Sequence, residues 1–112
     1  YQRMYEASLF RDESMAKTIA DYLARQRQGT ERHTGPLISY TGGGHIQYDL
    51  RVPNPVRRKA GGVVKQVTVY MTSLASDSKE EKEEIEHLVQ EAIADYVWLT
   101  PVSAHGPSKR CR

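Results

Sequence analysis

The chain has 112 residues, 38% hydrophobic and 27% charged, which suits one modest domain with a buried core and is too little for two. Sixteen Lys and Arg against fourteen Asp and Glu leave a formal charge of +2, too small to mark nucleic acid or an anionic membrane as the partner. No apolar run approaches the roughly 20 residues that cross a bilayer, and the single cysteine, Cys111, excludes an intrachain disulfide and a cysteine-rich zinc site.

The chain opens on Tyr1 and leads straight into a helical pattern with no signal-peptide pattern before it, which reads as a mature protein or an excised piece. Met4, Ala7, Met15, Ile19, Tyr22 and Leu23 recur at helical spacing and predict a helix from about 2 to 28, stopped at Gly29. Arg11 and Asp12 interrupt that apolar stripe, where a charge is costly unless it is paired. After a polar loop, Leu37, Ile38 and Tyr40 predict a short buried strand that ends in Gly42-Gly43-Gly44 and delivers His45 at its carboxyl end. Asn54-Pro55 reads as an N-cap followed by proline in the first turn of a short helix closed by Gly61-Gly62.

Val67, Val69 and Met71 alternate with Gln66, Thr68, Tyr70 and Thr72, the period of a strand. Ser78 and Glu81 form a capping box, and Ile85, Leu88, Val89, Ala92 and Ile93 give the stripe of an amphipathic helix. Tyr96 to Thr100 is a further β-rich run stopped by Pro101. Charge is segregated along the way: 51–65 carries Arg51, Arg57, Arg58, Lys59 and Lys65 with no acid, whereas 77–91 is acidic. The alternation of helices and strands predicts an α/β fold, a small and mostly parallel sheet of about three strands with flanking helices. It occupies residues 1–102 as one domain, is expected to belong to a larger α/β domain, and leaves 103–112 as a polar tail.

Ligands of open α/β sheets bind beyond the carboxyl ends of the strands, which directs attention to 41–48. The glycine loop Gly42, Gly43, Gly44 allows close backbone approach or positive φ and places the His45 imidazole past the strand end. It lacks the spacing of a dinucleotide or phosphate loop, and the alternative is a plain turn with a surface histidine. Tyr48 offers a phenolate, a hard donor suited to ferric haem, although most tyrosines only pack and hydrogen-bond. Arg57 and Arg58 suit carboxylates such as haem propionates, or form a solvated basic face. His33, His87 and His105 have no spaced partner, so a self-contained zinc site is not expected.

Three segments carry a family resemblance. Arg11-Asp12-Glu13-Ser14-Met15-Ala16, then Gly42-Gly43-Gly44-His45-Ile46-Gln47-Tyr48, then Val52-Pro53 resemble the C-terminal part of the ChaN-like haem-binding uptake proteins. That family is grouped with the Tiki and TraB proteases and erythromycin esterase. Asp95 to Pro101 resembles its last strand, so the similarity runs from about Tyr5 to Pro101. Two departures stand out: Arg51 occupies the position of a family glycine, and the family's preceding βα segment is not in this chain.

The resemblance implies a binding module of bacterial iron uptake rather than an enzyme, in the cell envelope as a periplasmic protein or outer-membrane lipoprotein. Ferric haem is the implied cofactor, with His45 and Tyr48 as iron ligands or their neighbours, Arg11 as an anionic contact, and Arg57 and Arg58 as propionate partners. The implied partners are a second copy of the chain or the missing half of the domain. Two other readings stay open: a metal-dependent hydrolase in which His45 binds a divalent metal, and an assembly domain that completes its sheet with another chain.

Overall fold

The structure, a computed structural model, describes residues 1–32, 34–62, 64–74 and 79–102. Its elements are α1 (Gln2–Arg27), two single 3₁₀ turns (Gly43–His45 and Gln47–Asp49), α2 (Pro53–Lys59), β1 (Val69–Leu74), α3 (Lys79–Gln90) and β2 (Tyr96–Pro101). β1 and β2 pair in parallel, from Val69 opposite Tyr96 to Leu74 opposite Pro101, so the α/β class with a small parallel sheet is the observed architecture. No helix among the described residues is long and apolar enough to cross a membrane.

The helices end by the same device. Beyond α1, Gly29 takes φ +71° while its N–H bonds Gln26 O and the Thr30 N–H bonds Arg25 O, each at 3.1 Å. Gly61 repeats the pattern beyond α2, with Gly62 N–H on Arg57 O at 3.1 Å. After α3 the left-handed residue is Ala92, φ +52°, with Ile93 N–H on Leu88 O at 3.1 Å. Such paired bonds satisfy the last carbonyls of a helix. An alanine there costs on the order of 1 kcal/mol; the turn it makes buries Ile93 to 2% exposure, which offsets that cost. The helical stripe read from sequence therefore crosses a helix end, and its last two residues belong to the turn.

The core lies between α1 and α2. Ala16, Val52 and Val56 are buried together, with Met15, Ile19 and Leu23 packed against them. Small side chains at Ala16 and Ala20 let α2 approach α1 closely, and Glu13 holds the pair from outside through Arg58 at 2.7 Å and Lys59 at 2.9 Å. The sheet is tied at its amino end: Asp95 Oδ2 accepts from the Thr68 N–H at 2.7 Å and its hydroxyl at 3.1 Å, while the Asp95 N–H donates back to Thr68 Oγ1 at 3.0 Å.

Three details depart from the sequence pattern. Residues 37–40 are extended but belong to no strand, and no backbone hydrogen bond of 36–41 to another backbone group occurs among the described residues. An apolar run becomes a strand only where a neighbouring strand shares its ladder, so among the described residues the sheet has two strands, and Ile38 and Tyr40 stay 90% and 87% exposed. α2 starts two residues early: Val52 is its N-cap and Pro53 fills the first helical position, where a missing N–H costs nothing. β1 begins at Val69 rather than Gln66, because the Thr68 N–H is taken by the Asp95 carboxylate. The capping residue Ser78 and the tail from 103 onward lie outside the described residues.

Candidate functional site

Asp12 sits on the buried face of α1, one turn from Ala16, and is 2% exposed. A carboxylate so far from water must be hydrogen-bonded to be tolerated. Its Oδ1 lies 2.5 Å from His45 Nδ1 and its Oδ2 accepts from Arg51 Nε at 2.7 Å. The other arm of the Arg51 guanidinium donates to Ser8 Oγ, one turn earlier on α1. Imidazole and guanidinium reach one carboxylate because the chain between them closes on itself, with the Val52 N–H donating to His45 O at 3.0 Å.

This arrangement sets the histidine's chemistry. A carboxylate can only accept, so against it His45 Nδ1 is the nitrogen that bears the proton and donates. In the neutral form of the ring Nε2 is then a lone pair, and this nitrogen makes no hydrogen bond among the described residues. The His45 side chain is 24% exposed, with its Cδ2 edge beside Gly42. A carboxylate–imidazole pair of this kind orients a metal-ligating histidine and raises its basicity, and it equally orients a general base.

The glycine loop works differently from expectation. None of Gly42, Gly43 and Gly44 has positive φ; Gly42 is extended and Gly43–His45 form one 3₁₀ turn closed by His45 N–H on Gly42 O at 2.9 Å. Close approach does apply at Gly43, where a Cβ would stand 2.6 Å from Cε2 of the Tyr70 ring. The neighbour is thus β1 itself. The loop leaves the carboxyl end of the 37–40 run but meets the sheet near the amino ends of its strands, against Tyr70 and against Ile93 just before β2.

Tyr48 lies at the tip of the loop in the left-handed region, φ +55°, followed by Asp49 at +61°. Its N–H bonds Ile93 O at 2.8 Å and its hydroxyl donates to Glu91 Oε2 at 3.1 Å. The hydrogen bond to Glu91, with burial and the negative charge of that carboxylate adding to it, raises the phenol above its ordinary pKa and disfavours the phenolate. Arg57 is paired with Asp49 at 2.7 Å and Arg58 with Glu13 at 2.7 Å, so both cations already hold carboxylates. Arg11 does not share the buried stripe with Asp12: it is exposed and has no hydrogen bond or ion pair among the described residues.

Of the residues singled out by sequence, His45 and the glycines gather at one place, Tyr48 and Arg57 lie around the same loop, and Arg58 faces Glu13 on α1. Asp12 and Arg51 are the members that sequence reasoning left out of the site. The signal for Asp12 was present, since a carboxylate interrupting an apolar stripe demands a partner; Arg51 showed as one cation of a basic stretch and as a departure from a family glycine. Among the described residues no group of three or more His, Cys, Asp and Glu side chains is placed to hold a metal ion. His87 pairs locally with Glu91 at 3.4 Å, and His33 and His105 lie outside the described residues. No family model, curated protein or solved structure matches the chain.

Proposed function

We propose that this chain is a haem-binding module of bacterial iron uptake in which His45 Nε2 is the iron ligand. The observation that carries the reading is the buried Asp12 carboxylate on His45 Nδ1, which leaves Nε2 as an oriented, basic donor. Haem brings four ring nitrogens of its own, so one protein ligand suffices. A bare divalent metal needs three or four side chains, and no such group occurs among the described residues, which favours haem over the metal-hydrolase reading. Bound ferric haem would supply a redox-active iron at that position. Of Arg11, Arg57 and Arg58, Arg11 is the one without a carboxylate partner among the described residues and so the candidate for a propionate, whereas Tyr48 serves to pin the loop through Glu91 and Ile93.

The resemblance to ChaN-like proteins extends the proposal to the bacterial cell envelope and to completion of the sheet by a second copy or by the rest of the family domain. Exposed Ile38 and Tyr40 on an unladdered segment, and Met71, Tyr96 and Trp98 on one face of the sheet, support that second element. The test is a haemin titration followed by absorbance. A saturable, stoichiometric spectral change that His45→Ala abolishes and Tyr48→Phe retains is expected. A change indifferent to His45→Ala, or none at all, refutes the assignment, and divalent-metal-dependent hydrolysis lost in His45→Ala would install the rival reading.

A further inference from the structure

We infer that Arg51 is the positioning residue of this site: its guanidinium clamps the Asp12 carboxylate to α1 and so fixes which nitrogen of His45 is free. The inference rests on the reading that His45 Nε2 is the working atom, and it concerns a residue that the resembled family does not supply, since a glycine usually stands there.

Asp12 can turn about its Cα–Cβ and Cβ–Cγ bonds, which swings its oxygens off the line to the imidazole and leaves the ring without the acceptor that holds the proton on Nδ1. Arg51 removes that freedom. Its Nε holds Oδ2 at 2.7 Å while its terminal nitrogen is anchored on Ser8 Oγ, so the planar fork bridges one turn of the same face of α1. Oδ1 is thereby aimed at His45 Nδ1, 2.5 Å away, as an acceptor. The Val52 N–H bond to His45 O closes the loop between the two side chains, so a shift of Arg51 is passed to the imidazole through the backbone as well as through Asp12. A family glycine at this position would leave the second oxygen of a 2%-exposed carboxylate without its donor.

The test uses the full chain without haem, with ¹⁵N-labelled histidine, at a pH where ordinary histidines are neutral. Long-range ¹H–¹⁵N correlation reads the tautomer of His45 directly. Wild type is expected to show Nδ1 protonated and Nε2 bare, and Arg51→Met a mixture of tautomers. Haemin affinity should fall about 10- to 100-fold in the same variant, the usual loss when a ligand's orienting partner is disturbed. An Arg51→Met protein that is folded by circular dichroism and keeps the single wild-type tautomer overturns the inference. Should that variant not fold, Arg51→Lys decides: it keeps the charge and the stem but not the planar fork, and a wild-type tautomer there also overturns the inference. If wild type does not bind haemin yet the tautomer responds to Arg51, the haem assignment fails and the positioning role stands.

Discussion

Replacing Asp12 by asparagine keeps the shape of the side chain and changes only what its two tips can do. The amide has one acceptor and one donor, and the guanidinium of Arg51 can only donate. Its oxygen must therefore face Arg51, which places the NH₂ against His45 Nδ1 and forces that nitrogen to accept. The ring proton moves to Nε2, the atom proposed to bind iron. Two hydrogen bonds survive in number, but both lose their ionic partner; charge-assisted bonds contribute about 1.5–3 kcal/mol against about 1 for neutral ones. Because the His45 and Arg51 side chains are 24% and 36% exposed, the lower end applies, a loss of about 1 kcal/mol in total. For a domain of this size that lowers Tm by roughly 5 °C. Haemin affinity should fall at least 10-fold. Urea unfolding, haemin titration and the His45 tautomer by ¹⁵N NMR measure the three effects. An Asp12→Asn protein that binds haemin as tightly as wild type, with the Nδ1–H tautomer intact, would refute the reasoning.

The glycine loop offers a contrast between neighbours. Gly43→Ala should destabilise by about 1–3 kcal/mol because the new methyl strikes the Tyr70 ring, whereas Gly44→Ala, with open space around it, should stay within about 0.5 kcal/mol; equal denaturation midpoints would remove the packing argument. Asp95→Ala strips both donors of Thr68 of their acceptor at the entrance of the sheet, and should cost about 1–3 kcal/mol in urea unfolding, with wild-type stability as the refuting result. The Tyr48 phenol should ionise above the ordinary tyrosine value in an ultraviolet titration and return toward that value in Glu91→Gln. Since its folded pKa is raised, its contribution to stability is present below the ordinary tyrosine pKa and is lost as pH rises through the folded value, a loss absent from Tyr48→Phe. For Glu13, lowered first by Lys59 and then by Arg58, the sign is opposite: the α1–α2 contact should weaken only as pH falls through its depressed value, and Glu13→Gln should abolish that acid dependence in circular-dichroism unfolding curves.

Local information carried most of the elements. The helical periodicity of α1 and α3, Gly29 and Gly61 as helix stops, and the alternation around Val69 and Met71 were legible because each depends on contacts within a few residues. The α/β class followed from their order. Within the site, His45 at the end of a glycine run could be read as chemically exposed, and Asp12 as a charge in need of a partner.

What only the tertiary structure decided is pairing over distance. Asp12 finds His45 and Arg51 at sequence separations of 33 and 39, a convergence set by the packing of α2 on α1 and by the closure of the intervening loop. Periodicity says which face of α1 is buried, not which donors wait opposite it. The same limit left residues 37–40 without a ladder, since a strand needs a neighbour that its own residues do not encode. It also hid the left-handed turn at Tyr48, which is held by Ile93 and Glu91 from the far side of α3.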